Sequence, residues 1–199
     1  MKLEKHIKHC NNLINVTIPD TVTSIGDWEF YCCENLRDIN IPNTVTNIGD
    51  GAFYDCTSLT EITIPNSVIN IGYGAFNGCK NLKSITISEN VKSIKDSTFS
   101  WCKSLREINI PNDVTTIGKC AFLDCYSLKS VNIPESVTSI EDAAFLGCKI
   151  LTSITIPNSI TRIGSDAFFA CDSLTSIKYK GKEYNNIDEV INLVNKQES

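Results

Sequence analysis

Histidine is nearly missing from this chain. The only two, His6 and His9, stand close to the N-terminus. Elsewhere there is no imidazole to activate a hydroxyl or thiol, so a Ser–His or Cys–His nucleophile pair is hard to build. His6, His9 and Cys10 bring ligand types within reach of one another. A strong zinc site takes four ligands, however, and no second pair completes this set, so no metal is expected. Blocks of like charge are also missing. Lys and Arg total 18 against 23 Asp and Glu, a mild net charge of −5, which leaves no footprint for a nucleic acid. No apolar run approaches the roughly 18 residues of a membrane span. The opening Met1–His9 is charged and lacks the apolar core of a secretory signal. Three readings stay open for it: an intracellular chain, export by another route, or a trimmed N-terminus. Whether residues 1–199 are a whole protein or a fragment stays open too. The glycines of Gly72–Gly78 lack phosphate-loop spacing. No paired carboxylates, catalytic residues or cofactor are indicated, and an enzyme is not expected.

Proline is scarce but ordered. All six prolines fall in one column of period 23: Pro19, Pro42, Pro65, Pro111, Pro134 and Pro157, with Ser88 in the vacant slot. Leucine keeps the same period from Leu13 to Leu174, and phenylalanine from Phe30 to Phe168 without a miss. A period in the range of roughly 20–29 residues marks a leucine-rich solenoid, in which each coil contacts only its neighbours.

Within a coil the pattern is Cys-x-x-Leu-x-x-Ile-x-Ile-Pro-x-x-Val-x-x-Ile-Gly-x-x-Ala-Phe. Ile-x-Ile is strand periodicity with one face buried. Ile62 and Ile64 therefore point in and Thr63 points out. Proline ends the strand by removing a ladder donor. Val-x-x-Ile makes a second short extended piece on the other side of the coil. A short helical or 3-10 segment then carries Ala-Phe-x-x-Cys. Asp27, Asp50, Asp96 and Asp142 precede that segment, where a carboxylate is placed to cap free N–H groups. Eight of the ten cysteines share one column, from Cys10 to Cys171. Beside core Phe and Leu columns they read as a ladder of reduced, buried thiols, because equivalent parallel side chains do not aim their sulfurs at one another. Cys32 and Cys120 fall off the ladder and are expected to be exposed. Asn15-Val16-Thr17 is a lone glycosylation sequon, relevant only to an exported chain.

These motifs resemble the leucine-rich repeat of BspA-like, or Treponema-pallidum-type, proteins over roughly residues 10–179. The resemblance implies an α/β-type repeat solenoid, predominantly β: a right-handed coil of 23-residue units with a concave parallel sheet. It also implies adhesion or host interaction at a cell surface, and it brings no catalytic residues. The fourth coil departs from the pattern, with Ser88 for Pro, Lys95 for Gly and Thr98 for Ala. It is expected to be loosened, not broken, since its core residues Ile85, Ile87, Val91, Ile94 and Phe99 remain.

The domain reading is a partial N-terminal coil over 1–9, with Ile7 in the Phe column, and a solenoid of seven to eight coils over 10–179. A turn and capping helix follow over 180–199, with Asn186 as N-cap and an apolar stripe of Ile187, Val190, Ile191 and Val194. The candidate binding face is the concave one: Asn40, Thr63, Thr86, Asn109, Asn132 and Thr155, with Arg37, Glu61, Lys83 and Arg106 beside them. Trp28 and Trp101 break their columns and are candidate anchors on the convex or lateral surface. The functional expectation is a non-enzymatic scaffold, monomeric, binding a protein or glycan. The alternative is a structural module that self-associates end to end. The localisation stays open between the cell surface that the resemblance suggests and the cytoplasm that free thiols suggest.

Overall fold

A short coil with one buried β-residue on each side cannot close a core alone, so the 23-residue units stack. The computed structural model describes residues 10–196. The expectations placed on residues 1–9 (the partial coil, and the histidines) lie outside the described residues. Counting from Cys10, coils 1 to 7 end at residues 32, 55, 78, 101, 124, 147 and 170.

Each coil contributes two strands. The concave ladder holds β1 (Asn15–Thr17), β3 (Asp38–Asn40), β5 (Glu61–Thr63), β7 (Ser84–Thr86), β9 (Glu107–Asn109), β11 (Ser130–Asn132), β13 (Ser153–Ile156) and β15 (Ser176–Tyr179). The ladder divides into the pairs β1–β3, β5–β7, β9–β11 and β13–β15, and paired strands are parallel and in register at one repeat, Glu61 against Ser84 and Thr63 against Thr86, for example. The second ladder holds β2 (Ser24–Ile25), β4 (Asn47–Ile48), β6 (Asn70–Ile71), β8 (Ser93–Ile94), β10 (Thr116–Ile117), β12 (Ser139–Ile140) and β14 (Arg162–Ile163). It divides into a three-stranded sheet, β2–β4–β6, and a four-stranded sheet, β8–β10–β12–β14. The division falls at coil 4, where Ser88, Lys95 and Thr98 replace the repeat residues. That coil is loosened but its core stays closed: Ile85, Ile87, Val91, Ile94 and Phe99 are all buried.

The third side of the coil runs through alternating turns. Tyr54, Cys56 and Leu59 donate to Gly51, Phe53 and Cys56 in i→i−3 bonds, as in a 3-10 helix. The intervening residues donate to the next coil instead: Gly51 N–H to Tyr73 O (2.8 Å), Phe53 to Ala75 (2.7 Å), Asp55 to Asn77 (2.7 Å). This alternation needs two left-handed residues per coil. One column is Trp28, Gly51, Gly74, Ser97, Cys120, Ala143 and Asp166, and the other is Cys32, Asp55, Gly78, Trp101, Asp124, Gly147 and Ala170, all with φ between 53° and 75°. Both tryptophans and both off-ladder cysteines therefore stand where glycine stands in other coils. Only glycine adopts this conformation without steric cost.

The acidic residues before this segment do something other than cap their own coil. Asp27 Oδ1 accepts from Asp50 N–H (2.9 Å), Asp50 from Tyr73 (2.9 Å), Asp96 from Lys119 (2.9 Å) and Asp142 from Ser165 (3.0 Å). The backbone donors left over lie one coil further on, so the carboxylates cap the following repeat.

The interior is a set of columns. Phe30 to Phe168 stack face to face, with centroids 5.0–5.7 Å apart. Glu29 stands buried in the column otherwise held by alanine or Thr98. At the C-terminal end β16 (Lys182–Tyr184) folds back antiparallel on β15, an extra strand where only a turn was expected. Helix α1 (Ile187–Asn195) follows, and Asn186 caps it by accepting from Asp188 N–H at 2.8 Å. Val190 and Val194 are buried and Ile187 and Ile191 pack beside them, so the apolar stripe covers the last coil.

Candidate functional site

In the concave strands the middle residue is buried and its two neighbours are exposed. That alternation places Asn40, Thr63, Thr86, Asn109, Asn132 and Thr155 in one exposed column, with Glu61 in the adjacent one. Arg37, Lys83 and Arg106 are exposed just ahead of the strands. An open groove of about 880 Å³ lies over coils 1 to 4, lined by Asp38, Asn40, Glu61, Thr63, Ser84 and Thr86 together with the Asp20–Asn43–Asn66 edge. It gathers Asn40, Glu61, Thr63 and Thr86 from the expected set. It does not gather Arg37, Lys83, Arg106, Asn109 or Asn132. Thr155 lines a separate recess of about 220 Å³ with Ser130, Ser153 and Lys178.

Sequence reasoning missed the sign of the groove. Asp20, Asp38 and Glu61 line it, and no basic residue does. The signal was in the charge order along the chain: between residues 10 and 79, Arg37 is the sole basic residue against eight Asp and Glu.

Trp28 and Trp101 are both exposed, at 45% and 39%, away from the concave columns. Trp28 packs with Tyr31 and Tyr54 (centroids 5.6 and 5.8 Å), its ring lying over Gly51, whose missing side chain leaves the room. Trp101 stands beside Lys103, whose Nζ lies 5.1 Å from its ring centroid.

The cysteine ladder differs from expectation at its first rung. Cys10 and Cys33 form a disulfide, their Cα atoms 5.0 Å apart, within the distance a disulfide spans. Beyond it the thiols are free and each donates to the phenylalanine carbonyl of an earlier coil: Cys56 to Phe30 O (3.1 Å), Cys79 to Phe53 O (3.2 Å), and so on to Cys171 and Phe145 O (3.2 Å). Burial raises the Cys56 thiol to about 12, and pushes Cys79, Cys102 and Cys125 well above the ordinary thiol value. Cys171 is only half-buried, and a hydrogen bond with the free Cys148 thiol lowers its pKa. Cys32 and Cys120 are partly exposed. Among the described residues no His, Cys, Asp and Glu group could hold a metal ion, and no helix is long and apolar enough to cross a membrane.

The chain belongs to the BspA-type leucine-rich repeat family, whose repeat-region model matches residues 4–129 and 92–191. Solved bacterial structures share the fold. A leucine-rich cell surface protein from Faecalibacterium prausnitzii is 38% identical with a TM-score of 0.78, over 89% of this chain and 48% of its own length. A leucine-rich repeat protein from Eubacterium ventriosum is 34% identical with a TM-score of 0.75, over 86% of this chain and 47% of its own. The leucine-rich repeat protein of T. pallidum is 31% identical with a TM-score of 0.75, over 81% of this chain and 78% of its own. The chain thus spans about half the length of the first two. None of the curated proteins matches it.

Proposed function

We propose that this leucine-rich repeat scaffold is a non-enzymatic binding module whose concave sheet docks a protein or glycan at a cell surface. The observation that carries the reading is the groove over coils 1 to 4. Its exposed Asn, Thr and Ser side chains stand on a backbone held by ladders on both sides, so little ordering is needed on binding. Three carboxylates without a basic lining residue favour a partner with a basic or donor-rich surface. The cell-surface description of the F. prausnitzii relative supports an adhesion or host-interaction role.

The test compares the wild-type chain with Thr63→Arg/Thr86→Arg/Asn109→Arg, both checked by circular dichroism, in capture from host-surface and source-cell extracts. A partner held by the wild type and lost by the folded variant is the expected outcome. A partner held equally by both would place the interface elsewhere, and no partner at all would favour a structural module.

A further inference from the structure

A second surface runs along the turns of coils 4 to 7, away from the concave sheet. Lys80, Lys103, Tyr126 and Lys149 form one column of period 23. Trp101 stands two residues before Lys103, and the Lys103 N–H donates to its carbonyl at 2.9 Å, a tight turn that fixes the ring beside the column. Successive coils are tied along the column by Ser104 N–H to Lys80 O (3.1 Å) and Ser127 N–H to Lys103 O (3.2 Å). The side chains interleave. Lys103 Nζ lies 5.1 Å from the Trp101 centroid and 5.5 Å from that of Tyr126, and Lys149 Nζ lies 5.2 Å from Tyr126 on its other side.

These cations are held by rings and not by carboxylates. Among the described residues the lysines in ion pairs are Lys92, Lys119 and Lys178, none of them in this column. Asp124 stands within the stripe, hydrogen-bonded to Tyr126 and lying over Gly147, so one carboxylate sits among the three lysines. Trp101 also occupies a left-handed position (φ 63°) that glycine fills at Gly78 and Gly147. A bulky exposed ring there gains nothing in backbone energy.

We infer that this stripe is a binding site for a linear anionic polysaccharide carrying carboxylate or sulfate groups along its length. The rings hold the ammonium groups in place over their faces, and those ammonium groups meet the anionic substituents along the polysaccharide. One coil advances about 4.8 Å, so the column offers cations and rings at regular intervals to an extended chain. The first three coils are acidic, so a polyanion is directed away from them toward coils 4 to 7.

The test titrates the full chain with dextran sulfate, neutral dextran of matched length and oligothymidylate. Trp101→Gly places in the column the residue that two other coils already carry, so it keeps the fold. Lys103→Glu/Lys149→Glu removes the cations, and Lys129→Glu/Lys182→Glu makes the same charge change elsewhere. Dextran sulfate should bind and neutral dextran should not. Each stripe variant should weaken binding by about tenfold, and the control pair by less than about threefold. Equal loss in the control pair, or no binding of dextran sulfate, overturns the proposal. Tighter binding of oligothymidylate would reassign the stripe to single-stranded nucleic acid, where rings and cations serve the same roles.

Discussion

A glycine and an aspartate one coil apart are coupled here. Asp27, Asp50, Asp96 and Asp142 turn their carboxylates onto the next coil, and the residues they crowd are Gly49, Gly72, Gly118 and Gly164. A Cβ at Gly72 would stand 2.5 Å from Asp50 Oδ1 and closer still to the Asp50 backbone N and the Gly49 carbonyl carbon, and one at Gly118 2.6 Å from both Asp96 N and Asp96 Oδ1. Where the aspartate is absent the glycine is absent as well: Tyr73 is followed by Lys95, and Lys119 by Glu141. Lys95 then lies over the Tyr73 ring at 5.1 Å. Gly72→Ala should therefore destabilise the fold by about 1–3 kcal/mol, the usual range for overpacking. Asp50→Ala costs its bond to Tyr73 N–H and removes only the side-chain part of the crowding, so the double variant should be more stable than the sum of the two by about 0.5 kcal/mol while the backbone contacts keep it less stable than Asp50→Ala alone. Urea denaturation of the four proteins measures this, and strict additivity would refute the coupling. The thiols give a second expectation at this scale. Cys32, Cys120 and Cys171 should react with an alkylating reagent in the native protein, while Cys56, Cys79, Cys102 and Cys125 should not, as peptide mass mapping would show. The sign of the linkage follows from burial. Cys56, Cys79, Cys102 and Cys125 have folded pKa values above their unfolded ones, so their contribution is fully present below the unfolded thiol value. It is lost as pH rises from about 8.5 toward about 12, the Cys56 value. Asp142 acts in the opposite sense. The Ser165 N–H, then Lys119 and Arg162, lower its pKa, so its contribution is present above the unfolded value and lost as pH falls.

At the scale of the element, coil 4 shows how a repeat tolerates departure. In coils 2, 3, 6 and 7 a hydroxyl donates to the valine carbonyl of the coil before: Thr44 to Val22 (2.7 Å), Ser67 to Val45 (2.6 Å), Ser136 to Val114 (2.6 Å), Ser159 to Val137 (2.7 Å). Coil 4 carries Asn90 in that place. Ser88, in the proline slot two residues earlier, is buried and donates to Val68 O at 2.5 Å instead. Restoring the repeat residue with Ser88→Pro should therefore lower stability, by about 1–3 kcal/mol for a buried carbonyl left without its donor. Adding Asn90→Ser should recover most of it. Thermal melts of the two variants decide, and a stabilised Ser88→Pro would contradict the account. The helix supplies its own substitute for a missing coil. The Asn195 amide accepts from Ile163 N–H (3.0 Å) and donates to Ile163 O (2.8 Å), closing the open edge of β14 as a neighbouring strand would. The core columns and the helix stripe were legible because a period needs only counting. The direction of the aspartates was not, because a carboxylate before a turn reads alike whether it caps its own coil or the next. The left-handed columns were hidden too, since Ser97, Cys120 and Ala143 conceal a glycine position behind ordinary residues.

For the whole molecule, stability should follow the weakest junction between neighbours, since a solenoid is close to a one-dimensional chain of coupled units. Three ladders and one ring stack join the coils, and they do not weaken together. The turn ladder crosses from coil 3 to coil 4 intact, with Gly74, Phe76 and Gly78 donating to Asp96, Thr98 and Ser100 at 2.8–2.9 Å. The concave ladder crosses there too, through β5 and β7, and is interrupted instead between β3 and β5, β7 and β9, and β11 and β13, where the second ladder or the turn ladder continues. The second ladder stops between β6 and β8. Bonds of the kind made by Gly72 N–H to Ile48 O (2.9 Å) and Gly118 N–H to Ile94 O (2.8 Å) lack the Lys95 member between them. The ring stack is also widest there, 5.7 Å between Phe76 and Phe99. Coils 1 to 3 should then open from coils 4 to 7 below the free energy of global unfolding. Native-state hydrogen exchange would read this directly: the Lys92 and Lys95 amides should exchange faster than the equivalent Thr46, Gly49, Thr138 and Glu141 amides. If all six protect alike, the break in the second ladder is energetically silent and the two ladders that remain carry the junction. If Lys92 and Lys95 exchange fast while the concave amides of β5 and β7 stay protected, the solenoid flexes at this junction. The acidic groove over coils 1 to 4 would then straddle the hinge, with Thr86 on one side and Asn40 and Thr63 on the other.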